Sequence, residues 1–502
     1  MFKNYPGFQL VEAIYKLGQE KRFQVSRKVK RIIKALVIIA VTLFLWNASS
    51  TMFGIEGLTV VQQRIIAIFA FATLMWIFEL VPSWSTSVAV MGLLLLFTSD
   101  SGIKFMVNED SVGKLLSYKS IMAAFADPVV MLFIGGFILA IAATKTGLDA
   151  HMAKILLKPF GKKSNNVLLG FILITGLFSM FVSNTATAAM MLTFLAPVFK
   201  QLPPEGKGRI ALTLSIPIAA NIGGMATPIG TPPNAIALKY LNDPEGLNMG
   251  MGFGQWVAFM LPITLVLLFI GWLVLRKLYP FTQKTVELHI ESSAKKDNKT
   301  YVVIITFFVT VLLWMFDAIT GINSYTVALV PFVVFSLTGV IDRRDLEEIN
   351  WSVIWMVAGG FALGLGINDS GLAKLAIDNI PFGSWSPIIV LIASGFICYL
   401  LSNFISNTAA AALLIPILVT ICQGMGDRLG EIGGTSTVLI GIALAASSAM
   451  CLPISTPPNA IAYSTGLVKQ NDMLKMGLIV GIISMIIGYL VLFFVGEMHF
   501  LN

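Results

Sequence analysis

The chain has little charge and little cysteine for its length. Of its 502 residues only 12% are charged, whereas 56% are hydrophobic. A soluble domain carries about 25% charged residues, so the composition excludes an ordinary soluble protein and indicates a polytopic membrane protein. The three cysteines, Cys398, Cys422 and Cys451, lie in or beside apolar segments and lack metal-type spacing. Neither a disulfide framework nor a cysteine metal site is indicated.

Residues that would support catalysis or proton transfer are also scarce. The three histidines, His151, His289 and His499, lie outside the motifs described below. No cluster of carboxylates occurs in the apolar segments, which argues against a proton relay or a metal enzyme. Glu79 and Asp317 lie near the ends of apolar segments, where an interfacial or structural role is favoured over ion coupling. A membrane enzyme or sensor is therefore disfavoured.

Positive charge is concentrated next to apolar segments. Eight Lys or Arg residues lie between Lys16 and Lys34, five lie between Lys145 and Lys163, and six lie between Arg276 and Lys299. By the positive-inside rule these stretches are cytoplasmic. The residues after Glu497 include no Lys or Arg, which predicts an external C-terminus. The net charge of +8 is thus read as a signal for orientation, with no nucleic-acid partner expected.

Apolar windows of about 20 residues, the length that crosses a hydrocarbon core, predict about eleven crossings. Two further apolar stretches, 165–200 and 386–423, are interrupted by polar residues and predict re-entrant helical hairpins. The predicted crossings are 31–49, 59–80, 85–98, 128–148, 208–240, 255–279, 300–320, 324–341, 351–372, 436–465 and 473–496.

The polar interruptions occur twice and at matched spacing. Ser183-Asn184-Thr185 and Ser406-Asn407-Thr408 lie 223 positions apart. About fifty residues after each tripeptide comes the block Thr-Pro-Pro-Asn-Ala-Ile-Ala, at Thr231–Ala237 and Thr456–Ala462, and these blocks are 225 positions apart. Near-constant offsets indicate a duplicated unit. Polar residues and proline pairs are costly inside a bilayer, so their recurrence predicts one binding site built from two halves.

The duplication predicts the organisation of the chain. Each unit contains an odd number of crossings, five, so the second copy has inverted topology relative to the first. The predicted regions are a cytoplasmic N-terminal segment 1–30, a first transmembrane helix 31–50, a first repeat 51–280 with hairpin 165–200, a cytoplasmic linker 281–299, and a second repeat 300–502 with hairpin 386–423.

The motif residues suit the binding of small ions. Ser, Asn and Thr side chains can cap a helix, coordinate a cation or donate to an anion. The prolines should unwind their helices near the bilayer midplane, which frees carbonyl oxygens for a cation and a helix N-terminus for an anion. Capping or an ordinary proline kink alone is the alternative interpretation. Neither motif contains Lys, Arg or His, so an anionic substrate would be held by N–H groups, hydroxyls, amides and bound cations.

With both motifs present twice, nearly the whole chain after the N-terminal segment resembles the divalent anion/sodium symporter family of di- and tricarboxylate transporters. The resemblance implies a homodimer in which a transport domain moves against a scaffold domain by an elevator mechanism. It implies that the substrate is bound by Ser183, Asn184, Thr185, Thr231, Pro232, Ser406, Asn407, Thr408, Thr456 and Pro457.

The same resemblance implies two sites for co-transported sodium ions. The first is formed by Ser179, Ser183, Asn184 and the Gly230 carbonyl, and the second by Ser402, the Ile405 carbonyl, Asn407 and the Ser455 carbonyl. The expected function is sodium-coupled symport of C4-dicarboxylates such as succinate, malate or fumarate across the cytoplasmic membrane. A sodium-independent exchanger and a citrate or sulfate transporter remain open, since such members also exist.

Overall fold

The computed structural model describes residues 29–48, 52, 57–107, 112–203, 206–243, 246–287 and 297–497. Most of the predicted N-terminal segment, the middle of the predicted linker (288–296) and the tail after Glu497 therefore lie outside the described residues. Within those residues the fold is built from α-helices joined by short turns and 3-10 segments.

The first half of the chain contains twelve α-helices among its described residues. They are α1 (29–47), α2 (Val60–Phe78), α3 (Ser83–Phe97), α4 (Lys104–Val107), α5 (Tyr118–Ala123), α6 (Pro128–Thr146), α7 (Leu148–Leu157), α8 (Ser164–Ser179), α9 (Asn184–Phe199), α10 (Lys207–Gly223), α11 (Pro232–Leu241) and α12 (Phe253–Leu278).

The second half follows with twelve more in the part of the chain that the structure describes. They are α13 (Asn298–Met315), α14 (Asp317–Thr320), α15 (Ser324–Val327), α16 (Leu329–Leu337), α17 (Arg343–Glu347), α18 (Trp351–Asp369), α19 (Leu372–Asn379), α20 (Pro387–Ser402), α21 (Asn407–Met425), α22 (Gly434–Ser448), α23 (Pro457–Ser464) and α24 (Gln470–Glu497).

Eight of the described helical segments are long and apolar enough to cross a membrane, and six further apolar helices have 10–17 residues. Several predicted crossings are divided between two helices. The window 208–240 contains α10 and α11, and the window 436–465 contains α22 and α23. The number of eleven crossings therefore stays a prediction, while the helices themselves make this a multi-pass membrane protein.

The divided helices resume at proline pairs. Pro232 and Pro233 are the first two residues of α11, and Pro457 and Pro458 are the first two of α23. The first turn of a helix has no intrahelical partner for its N–H groups, so proline is tolerated there without loss of a hydrogen bond. The upstream helices have already ended, at Gly223 and Ser448. The unwinding that the prolines predict thus lies between the two helices of each pair. We call these segments, 224–231 and 449–456, the helix breaks.

The described helices pack in two groups. One group contains α2, α3, α6, α13, α16 and α18, in which α3 packs on α18 and α6 packs on α13 and α16. The other contains α8 to α12 and α20 to α24, in which α10 packs on α8 and α22 packs on α20 and α24. Contacts between the groups include α18 with α21 and an ion pair of 2.9 Å between Lys239 Nζ on α11 and Asp127 Oδ2.

The two carboxylates near helix ends differ in their surroundings. Asp317 accepts hydrogen bonds from the backbone N–H groups of Phe253 (2.7 Å) and Ala318 (2.8 Å), so it satisfies free donors at the start of both α12 and α14. A negative charge there also interacts favourably with the helix dipole. Glu79 ends α2 in the left-handed conformation, and its N–H donates to the Met75 carbonyl at 3.0 Å. The contacts of Asp317 indicate a structural role.

Replacing Asp317 by Ala should destabilise the fold without changing the motifs. The Phe253 N–H would lose a charged acceptor, and hydrogen bonds of this kind contribute about 1.5–3 kcal/mol. We expect a lower thermal unfolding midpoint for the detergent-purified protein, measured by size-exclusion chromatography after heating. Asp317→Asn keeps an acceptor oxygen and should lower the midpoint less. Equal midpoints for the wild type and Asp317→Ala would show that this anchor is unimportant.

Candidate functional site

Each tripeptide begins the second helix of a helix–turn–helix unit. α8 ends at Ser179 and α9 begins at Asn184, while α20 ends at Ser402 and α21 begins at Asn407. The hydroxyl of Ser183 accepts a hydrogen bond from the N–H of Ala186, three residues later, at 3.2 Å. The hydroxyl of Ser406 accepts one from the N–H of Ala409 at the same distance. Both serines are therefore N-caps, as the residue type favours. Each asparagine is then the first residue of its helix, beside N–H groups that have no intrahelical partner.

Three oxygen atoms surround the side-chain oxygen of Asn184. Its side-chain oxygen lies 2.5 Å from Ser179 Oγ, 3.1 Å from the Gly230 carbonyl oxygen and 3.2 Å from the Ala220 carbonyl oxygen. The Ser179 hydroxyl can donate one hydrogen, and it also lies 2.8 Å from the Ala220 carbonyl. Oxygen atoms in such proximity repel one another unless a donor or a cation lies among them. The cluster is satisfied either by rotation of the Asn184 amide, so that its NH₂ donates, or by a bound cation.

The second tripeptide has a matching arrangement. Ser402 Oγ lies 2.8 Å from Asn407 Oδ1 and 3.0 Å from the carbonyl oxygen of Ala446 on α22. Ser402 is fully buried, as is Ser179 in the first cluster. The same three chemical groups, a serine hydroxyl, an asparagine amide and an alanine carbonyl, thus meet in both halves of the protein.

Glycine allows the close approach in the first half. A Cβ atom on Gly224 would lie 2.8 Å from Asn184 Oδ1 and 3.0 Å from the Gly230 carbonyl oxygen. A Cβ atom on Gly230 would lie 2.5 Å from the Gly224 carbonyl oxygen. Distances under 3.0 Å are essentially never found for a real Cβ, so the backbone of this break can approach Asn184 only because both residues are glycine.

A hydroxyl joins each helix break to the neighbouring hairpin turn. Thr227 donates to the carbonyl of Met180 and accepts from the Gly230 N–H at 3.0 Å. In the second half the Ser455 hydroxyl donates to the Asn403 carbonyl at 3.0 Å and accepts from the Leu452 N–H at 3.0 Å. These bonds fix the position of each break against the turn that carries the tripeptide.

The asparagine of each Thr-Pro-Pro-Asn block satisfies the carbonyl groups that the break leaves free. Asn234 Nδ2 lies 3.0, 3.1 and 2.8 Å from the carbonyl oxygens of Gly224, Met225 and Thr227. Asn459 Nδ2 lies 2.8 and 2.9 Å from those of Met450 and Leu452. The sequence reasoning assigned no role to either asparagine, although its recurrence at the same place in both blocks was a usable signal.

The two halves are interleaved. α9, which begins at the first tripeptide, packs against α23, which begins at the second Thr-Pro-Pro block. α21, which begins at the second tripeptide, packs against α11, which begins at the first block. Each motif therefore begins a helix, and the packing brings each tripeptide together with the Thr-Pro-Pro block of the other half of the chain. A helix N-terminus favours a negative charge, so the arrangement is suited to an anion.

The predicted site residues differ in exposure. Most are buried or half-buried, and Pro457 is exposed. The buried ones are Ser179, Gly230, Thr231, Ser402, Ile405, Thr408, Ser455 and Thr456, and the half-buried ones are Ser183, Asn184, Thr185, Pro232, Ser406 and Asn407.

Asn221 is a further residue that the sequence reasoning missed. It lies on α10 next to Ala220, and its Nδ2 reaches α23, 3.1 Å from Thr456 Oγ1 and 3.3 Å from Asn459 Oδ1. No regular spacing distinguishes this asparagine in the sequence. Its contact with the second half arises only when α10 packs against α23.

The chain is similar in sequence to known transport proteins. Residues 73–432 match the family model described as "Citrate transporter". A protein of Haemophilus influenzae named as an uncharacterized transporter is 36% identical over 397 residues, which cover 74% of this chain and 82% of that protein. The sodium-dependent dicarboxylate transporter SdcS of Staphylococcus saprophyticus is 28% identical over 466 residues, covering 86% of this chain and 85% of that protein.

Solved structures show the same fold at low sequence identity. The YdaH transporter of Alcanivorax borkumensis superimposes with a TM-score of 0.54 at 12% identity, over 84% of this chain and 98% of that one. MtrF of Neisseria gonorrhoeae superimposes with a TM-score of 0.50 at 14% identity, over 82% and 94% of the two chains. The chain belongs to the citrate transporter family, among the divalent anion/sodium symporters, and is a secondary transporter, not an enzyme.

Proposed function

We propose that the protein is a sodium-coupled symporter of C4-dicarboxylates of the succinate, malate and fumarate class. The observation that carries this proposal is that a buried serine hydroxyl, an asparagine side chain and an alanine carbonyl meet at both tripeptides, around Asn184 and around Asn407. The relative of Staphylococcus saprophyticus that is named a sodium-dependent dicarboxylate transporter supports the same substrate class and ion.

Sodium is the cation that best fits these clusters. An amide oxygen, a hydroxyl and backbone carbonyls are hard, uncharged ligands, which suit a small hard cation and bind it reversibly. The first proposed site contains Ser179, Ser183, Asn184 and the Gly230 carbonyl, and the geometry adds the Ala220 carbonyl to it. The second contains Ser402, Asn407 and the carbonyls of Ile405 and Ser455, to which the Ala446 carbonyl is added by the same reasoning.

The substrate would lie between the two tripeptides. A dicarboxylate needs donors at both of its ends, and the motifs supply hydroxyls, amides and free N–H groups at helix N-termini on two sides. Its negative charge would be balanced by sodium ions bound next to it, since Asn184 and Asn407 belong to both proposed sets. Such sharing explains how the binding of cation and anion would be coupled.

An elevator mechanism in an inverted repeat is the proposed mode of transport. It is supported by the two packing groups of helices, because the motifs all lie in the group that contains α8 to α12 and α20 to α24. We further propose a homodimer in the cytoplasmic membrane, with the N-terminus inside and the C-terminus outside, from the resemblance and the distribution of Lys and Arg.

Citrate is a second candidate substrate, because the matching family model is described as a citrate transporter. Its third carboxylate would need a further donor beside those that hold the two ends of a dicarboxylate. Sulfate transport and sodium-independent exchange would use the same fold and the same uncharged motifs. Transport measurements separate all of these from sodium-coupled dicarboxylate symport.

The proposal is tested by transport into proteoliposomes. We expect uptake of radiolabelled succinate when sodium is present outside, and only background uptake when potassium replaces it. Unlabelled fumarate and malate should compete, whereas citrate and sulfate should not. Uptake that ignores sodium but requires internal dicarboxylate would identify an exchanger, and failure of succinate with uptake of citrate would move the assignment to tricarboxylates.

Removing either motif asparagine should strongly reduce transport. Asn184→Ala and Asn407→Ala each delete an oxygen that is shared by the proposed sodium and substrate sites, and we expect succinate uptake to fall about 10- to 100-fold. Asn47→Ala is a suitable control, since Asn47 is exposed on α1 and, among the described residues, hydrogen-bonds only within its own helix, 2.8 Å from the Leu43 carbonyl. Near-normal uptake by both motif variants would refute the assigned site.

Gly224→Ala tests the close packing of the first cluster. The new Cβ would lie 2.8 Å from Asn184 Oδ1, so it should displace the amide and raise the sodium concentration for half-maximal uptake about tenfold or more. Gly92→Ala on α3 is the matched control, because beyond the backbone of its own helix no atom of the described residues would lie within 4 Å of the new Cβ. An unchanged sodium dependence of Gly224→Ala would argue against a sodium site at Asn184.

A further inference from the structure

The buried serines identify equivalent positions just before the two helix breaks, because each serine hydroxyl donates to one backbone carbonyl there. Ser179 donates to the Ala220 carbonyl, and Ser402 donates to the Ala446 carbonyl. The residue that follows is Asn221 in the first half and Ser447 in the second. Both lie in the interior, Asn221 with 2% and Ser447 with 1% of its surface exposed. One position thus carries a long amide in one half and a short hydroxyl in the other.

This difference has consequences for the facing motif. Asn221 on α10 donates hydrogen bonds to Thr456 and Asn459, at the start of α23. In the other half α22, which carries Ser447, packs against α11, so the corresponding contact would join Ser447 to α11. Within the described residues, Ser447 Oγ and the side-chain oxygen of Asn234 on α11 have no hydrogen-bond partner. The hydrogen-bond link that Asn221 makes between α10 and the start of α23 therefore has no counterpart between α22 and α11 among these residues.

The link determines the direction of the Thr456 hydroxyl. Thr456 Oγ1 accepts from Asn221 Nδ2 at 3.1 Å and from the Asn459 N–H at 3.3 Å. A hydroxyl has two acceptor lone pairs and one hydrogen, so two incoming donors leave the hydrogen directed away from both. Among the residues that the structure describes, none accepts this hydrogen, which is therefore available to a ligand. Thr231, at the same place in the first block, does not cap its helix.

We propose that Asn221 is a positioning residue that makes the Thr456 hydroxyl a hydrogen-bond donor to one carboxylate of the substrate. This inference rests on the proposed function. It makes the two halves of the site unequal, because in the part of the chain that the structure describes no amide donates to the hydroxyl of Thr231. It also links the cation cluster to the anion, since Asn221 directly follows Ala220, whose carbonyl belongs to the first cluster.

A double-mutant cycle separates this role from simple packing. Asn221→Ser introduces the residue that occupies the corresponding position in the other half, and Thr456→Val removes the hydroxyl while keeping its shape. Each should raise the KM for succinate about three- to tenfold at saturating sodium, the effect of one lost hydrogen bond, with little change in maximal rate. The double variant should have no higher KM than Thr456→Val alone, because Asn221 acts through that hydroxyl. A rise in KM for the double variant equal to the product of the two single rises would overturn the proposal.

The matched control is Ser447→Ala, which removes a buried hydroxyl without a described partner and should leave the KM unchanged. If Asn221→Ser does not yield folded protein, the inequality of the halves is tested directly by comparing Thr456→Val with Thr231→Val. A larger KM for Thr456→Val supports the proposal, and equal values overturn it. A wild-type protein that takes up no carboxylate would refute the proposed function itself, whereas wild-type uptake with a normal KM in Asn221→Ser would refute only the role of Asn221.

Discussion

The backbone polar groups at the two helix breaks have no intrahelical partner in a part of the protein that lies among apolar helices. Each such group costs several kcal/mol if it is left unsatisfied away from water. The structure satisfies them with a small set of uncharged side chains. Asn234 and Asn459 donate to the carbonyls at the end of the upstream helices, and Thr227 and Ser455 tie each break to a hairpin turn. The remaining arrangement of the site depends on these bonds.

The oxygen atoms that surround Asn184 are the ones proposed to bind a cation. The carbonyls of Ala220 and Gly230 face the amide of Asn184, and glycine at position 224 allows the backbone to come close enough. Asn234 occupies the neighbouring carbonyls, so the oxygen cluster is confined to one place. The side chains proposed for the site carry no permanent charge, which fits the proposed release of both a cation and an anion in every cycle. Strong permanent ion pairs inside the site would oppose that release.

The helix boundaries at the motifs could be predicted from the sequence, because their signals are local, whereas the re-entrant course of the hairpins stays a prediction. Proline at the first helical position and Ser, Asn or Thr before it act within one turn of the chain, so the residues that begin α9, α11, α21 and α23 could be read directly. The count of eleven crossings remains a prediction, since windows such as 208–240 combine two helices whose separation depends on how they pack. Asn221 could not have been identified, because its partners Thr456 and Asn459 lie more than 230 residues away in sequence.

The sequence by itself determined that the protein is a membrane transporter with a duplicated polar motif, because hydropathy, proline position and repeat spacing are properties of the chain alone. Tertiary structure decided which motif faces which. It placed α9 on α23 and α21 on α11, and it brought Asn221 to Thr456 while leaving Ser447 without a partner among the described residues. The physical reason is that hydrogen bonds require their atoms within about 3 Å. Only the packing of helices distant in sequence sets distances at that scale.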